Sequence, residues 1–182
     1  MKTSLLSLLA LALATLPCFS AEKAEVETRA QNYYTAGKAI VEMAITKKVD
    51  GAALEKHVDV LVTEAVWFAG QYAKVHPKGQ KLIQLVIDNV GTMKKLTFKE
   101  LEHQWHDGHV FDGRAGELGV DLKQEENEHF TDPIHTLVHP LLVLKAGQAY
   151  ATSKSEGDLK SMKEEMEEGL EQMQKQKAVL LK

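Results

Sequence analysis

The chain has 182 residues, enough for one domain with a substantial apolar core and no need of disulfide staples. Its formal charge of −4 argues against a partner gripped by its phosphates, so no nucleic acid is expected. One Cys excludes a disulfide framework and a four-Cys zinc ribbon, and 4 Pro with 12 Gly exclude a collagen-like or low-complexity chain.

Residues 1–20 read as a secretory signal peptide. Lys2 supplies the positive start, Leu5 to Leu16 forms the apolar stretch, and Cys18 and Ser20 are small residues suited to cleavage before Ala21. The apolar run is too short for a membrane span, so none is expected in the mature chain. Export to the periplasm or beyond is expected. A lipoprotein anchored through Cys18 is the alternative, disfavoured by Pro17 just before it. Cleavage near Ser20/Ala21 would leave a single domain, 21–182, with no Cys.

Helical periodicity dominates the remainder. Val26, Ala30, Tyr33, Gly37, Ile40 and Ala44 predict a helix over about 23–48, ended by Asp50-Gly51. Asp50 can cap the next, about 52–75, whose stripe is Leu54, Val58, Leu61, Ala65, Phe68 and Tyr72. After Pro77 comes a third, about 79–95. Thr97 and Glu100 have the spacing of a capping box, opening a short helix over about 98–107. Four glycines and three aspartates then predict a loop over 107–124. A helix over about 133–153 is apolar on most faces, with Asp132 as its cap, and reads as the central helix. Ser155 caps a final amphipathic helix, about 156–180. The fold expected is all-α: an up-and-down bundle of four to five long helices with a glycine-rich insertion near 97–131.

Six of the eight histidines fall between 103 and 139. His103, His106 and His109 form a His-x-x-His-x-x-His series, in which a helical turn would bring the first two rings to one side. His135 and His139 are an i,i+4 pair, a spacing that lets two imidazoles grip one ion. Pro140 threatens that geometry, because proline disfavours the α conformation in the residue before it. His129 lies upstream, with Glu126 or Glu128 available to complete a shell. The candidate metal ligands are therefore His103, His106, His109, Glu126, His129, His135 and His139. Imidazole and carboxylate suit zinc, iron, copper or nickel. Glu100-x-x-His103 and Glu126-x-x-His129 also resemble the Glu-x-x-His unit of di-iron bundles, with Glu42 and Glu64 as the further donors. The plainer alternative makes the histidines structural or pH-responsive, and His57 and His76 are read as ordinary helix residues.

Absent motifs narrow the field. Without Cys-x-x-Cys-His there is no covalent c-type haem, although non-covalent haem stays open. Neither His-Glu-x-x-His nor Gly-x-Ser-x-Gly occurs, and nothing places a nucleophile beside a base, so an enzyme is the least favoured class. Met162, Met166 and Met173 fit core packing better than copper binding. Trp105 and Phe111 read as packing that docks the insertion. The chain thus reads as an exported metal carrier, sensor or redox protein. The alternative is a non-catalytic helical module that binds a protein partner or a second copy of itself.

Overall fold

The computed structural model describes residues 16–106 and 109–182, with side chains from Glu22 onward except at 109 and 110. Most of the expected signal peptide, the side chains of Cys18 and Ser20, and the side chain of His109 lie outside these residues.

The described residues form helices joined by short turns and loops, without strands. α1 (Leu16–Thr46), α2 (Gly51–Val75), α6 (Asp132–Ser153) and α7 (Glu156–Leu180) form the bundle, with α3 (Gln80–Met93), α4 (Phe98–Leu101) and α5 (His109–Glu117) between α2 and α6. α6 packs against α7 and α2, and α1 packs against the same two helices from the other side. The directions alternate. Lys23, in the first third of α1, donates to the Leu181 carbonyl after α7, while Lys47 after α1 pairs with Glu156 at the start of α7. Leu54 early in α2 lies beside Gly147 late in α6, and the Tyr72 hydroxyl late in α2 donates to the His129 carbonyl just before α6. No helix among the described residues is long and apolar enough to cross a membrane.

Local signals set the boundaries. The Asp50 carboxylate accepts from the Ala53 N–H, and the Ser155 hydroxyl from the Gly157 N–H. Thr97 and Glu100 form the reciprocal capping box. At α6 the cap differs from expectation: Thr131 stands at the N-cap and Asp132 is already helical, because a 3₁₀ segment, Glu125–Thr131, feeds directly into the helix.

The expected loop over 107–124 is corrected by α5. Phe111 and Ala115, four residues apart, are both buried, and Leu118 packs beside the core one turn later. This apolar stripe outweighs the cost of Gly113 and Gly116, about 1 kcal/mol each relative to Ala. Gly119, at φ +81°, ends the helix: the Val120 N–H bonds back to the Ala115 carbonyl, as a Schellman turn requires. Trp105 and Phe111 are buried, their ring centroids 6.1 Å apart, and Arg114 lies over Trp105, so these rings dock the insertion as expected. Met162, Met166 and Met173 are fully buried core residues, in keeping with the packing expectation.

α6 runs through Pro140 without a break, and the reason is specific. Proline lacks the N–H that would bond to the carbonyl four residues back, here that of Thr136. The Tyr33 hydroxyl reaches across from α1 and donates to that carbonyl at 2.8 Å. The orphaned acceptor is thereby satisfied, and His135 and His139 stay on one continuous helix. Tyr33 is fully buried, so Tyr33→Phe is expected to cost about 1–3 kcal/mol, the penalty for a buried unpaired carbonyl. In a Pro140→Ala background, where a backbone N–H returns, the same change should cost much less. Urea melts of the four proteins in this cycle measure the difference.

Candidate metal centre

The π-helical segment Glu102–His106 continues α4 and lies against α6. Its i→i+5 turn is wider than an α turn, so residues three apart no longer share a face. This separates the two histidines that the sequence spacing had paired. His103 is exposed, whereas His106 turns toward α6. Its ring centroid lies 5.3 Å from that of His135 and 4.9 Å from that of His139, and His135 and His139 are 5.6 Å apart. Three imidazoles, two from α6 and one from the insertion, thus meet at one place.

α7 supplies the acid. Nδ1 of His139 lies 2.9 Å from Oε2 of Glu165, and Nε2 lies 3.8 Å from Oε2 of Glu168. The two glutamates are three apart and share one face of α7. Gly169 makes this possible, because a Cβ there would stand 3.1 Å from both the His139 Cβ and the Tyr33 hydroxyl. His139 is 1% exposed and the Glu165 side chain 15%, so the pair sits in a poorly hydrated environment. Ligand atoms of His106, His139 and Glu165 all fall within 4.8 Å of one another. Two ligands on a tetrahedral ion are about 3.3 Å apart for bonds of about 2.0–2.1 Å. Binding an ion would require the widest of these separations to shorten and the 2.9 Å His139–Glu165 contact to open slightly.

His135 stands beside this triad. Burial first, and then the neighbouring His139 and His106, push its pKa down to about 3, with Lys175 adding to the effect. It is a neutral imidazole at physiological pH, the form a metal requires. One ring nitrogen is hydrogen-bonded to the His106 backbone, which leaves the other for a further ligand.

The other predicted ligands go elsewhere. Glu126 is exposed and pairs with Lys78 at 2.9 Å. His129 packs against His76, with ring centroids 4.9 Å apart, and against Phe130 at 4.1 Å. His76 stacks on Tyr72 at 4.3 Å, so it belongs to an aromatic knot rather than an idle helix face. Burial, followed by the charge of His129, lowers the His76 pKa.

Of the di-iron donors, Glu42 is exposed on α1, and Glu64 and Glu100 are committed otherwise. Glu64 accepts from Arg29 at 2.9 Å and Asn32 at 3.0 Å, and Glu100 serves the cap at Thr97. Backbone and side-chain bonds to Thr97 hold the Glu100 carboxyl below its usual range.

Glu165 and Glu168 were not among the predicted ligands. They lie in a run of surface acids, and their only sequence cue is register. Glu165 is three residues after Met162 and four before Gly169, at the edge of the buried stripe of α7. No known family model matches the chain, and neither does any curated protein or solved structure.

Proposed function

We propose that the protein is an exported metal-binding bundle, which holds one divalent first-row ion, with zinc as the reference case, between His106, His139 and Glu165. His135 is available as a fourth donor. The observation that carries the reading is the convergence of these ligand atoms from three separate segments within 4.8 Å. Nδ1 of His139 and the Glu165 carboxylate face each other and would bind on the same side. Glu168, beside Nε2, would then take the ring's remaining N–H, the outer carboxylate that orients metal-bound histidines.

Two imidazoles and a carboxylate, with no thiolate, suit zinc, iron, nickel or oxidised copper rather than Cu(I). Use as a carrier or sensor fits better than hydrolysis. The Glu165 carboxylate that would otherwise serve as a base is spent on the ion, and His135 can close the coordination shell.

Equilibrium competition against a chromophoric zinc chelator, using the metal-stripped chain 21–182, tests this. One ion per chain is expected in the wild type, with saturable binding abolished in a His106→Ala/Glu165→Gln variant that still melts cooperatively. Equal affinity in the two proteins would overturn the site.

A further inference from the structure

An ion has to reach His139 by way of its neighbours, since that ring is 1% exposed and Glu165 is 15% exposed. One member of the cluster, however, has a second face. His135 is in ring contact with His106 and His139, and it also lines a cleft of about 390 Å³ between the Glu125–Thr131 segment, the start of α6 and α7. The other walls of that cleft carry the groups a hydrated divalent cation meets favourably: the carboxylates of Glu125, Glu128 and Asp132 and the imidazole of His129. The single cation on its rim, Lys175, is offset by Glu171 at 3.3 Å. A cleft dominated by carboxylates concentrates cations near its walls. An imidazole at its floor offers the first replacement for water lost on the way inward.

We propose that this cleft is the loading route of the metal centre, with Glu128 and Asp132 drawing a divalent cation in and His135 passing it to His106, His139 and Glu165. The inference rests on the metal-binding reading above. It adds a role for acids that do not belong to the final shell, and it makes His135 the shared wall of two compartments.

A loading route differs from a ligand set in its kinetics. Removing a ligand raises the dissociation rate and weakens equilibrium affinity, whereas removing charge from the route slows arrival and departure together. Stopped-flow mixing of the metal-stripped chain with Zn²⁺ and a fluorescent chelator measures both rates. A Glu128→Gln/Asp132→Asn variant is expected to take up Zn²⁺ about tenfold more slowly at low salt, with a dissociation constant within about twofold of wild type and a reduced dependence on ionic strength. Lys175→Glu is expected to act in the opposite direction and speed uptake, and this exposed helix position keeps the test independent of how the carboxylate variant folds.

Unchanged uptake in both variants would overturn the route. So would slowing confined to Glu168→Gln, which would place the path along the outer face of α7. A weakened equilibrium with an unchanged uptake rate would make the cleft acids part of the shell and equally reject the proposal. If the wild-type chain binds no Zn²⁺ at all, the metal centre itself is wrong, a result the competition titration reveals separately.

Discussion

His139→Ala is expected to lower Zn²⁺ affinity by at least about 100-fold. Loss of an outer partner of a metal-bound histidine typically costs 10–100-fold, and a direct ligand should reach or exceed the upper end. His139 is also a core residue, so its removal leaves a void and a carboxylate without its 2.9 Å partner. Two further variants separate binding from folding. His106→Ala removes a partly exposed ring on the insertion, and Glu165→Gln keeps the shape of the acid while removing its charge. Each should lose affinity comparably while unfolding close to wild type. His103→Ala and His57→Ala serve as controls, with affinity unchanged, because His103 points away from the cluster and His57 lies on α2. Calorimetric titration of the five variants would reveal the pattern, and an effect of His103→Ala as large as that of His106→Ala would contradict the assignment.

Acid should destabilise the metal-free protein earlier than its carboxylates alone would dictate. His135 has a folded-state pKa of about 3 against an ordinary value of 6.5. Above pH 6.5 it is neutral in both states and contributes no pH dependence. Below 6.5 the unfolded chain binds a proton that the native state refuses, so stability falls until the pH reaches about 3. The slope from this one residue approaches about 1.4 kcal/mol per pH unit. His76, lowered by burial and by His129, works in the same direction. Asp132, whose carboxyl is raised mainly by burial, works against it at lower pH. His135→Gln retains an N–H for the His106 backbone and does not titrate, so its stability should be flatter between pH 6.5 and 4. Urea midpoints of the two proteins across this range give the comparison, and parallel curves would contradict a buried neutral His135. Saturating Zn²⁺ should steepen the wild-type curve, because protons and the ion compete for the same nitrogens.

Helix positions were legible in the sequence wherever a stripe met a cap. Asp50, the Thr97/Glu100 box and Ser155 act as their spacing implies. The insertion was less legible. Its glycines advertised a loop, but Phe111, Ala115 and the Gly119 cap make a helix, because burial of the stripe outweighs local propensity.

The candidate site was half legible. The i,i+4 spacing of His135 and His139 holds only because Tyr33, more than a hundred residues away in sequence, satisfies the carbonyl that Pro140 abandons. No local pattern carries that information. His103 was paired with His106 by α-helical spacing, and the π turn separated them. Glu165 and Glu168 were hidden in a charge run whose inward members only tertiary register can select.

The most direct test is crystallographic. Crystals of the chain 21–182 grown with Zn²⁺ and measured on either side of the zinc absorption edge should show one strong anomalous peak, about 2.0–2.1 Å from a His106 nitrogen, Nδ1 of His139 and a Glu165 oxygen. A peak confined to other residues, or no peak at saturating Zn²⁺, would contradict the metal centre.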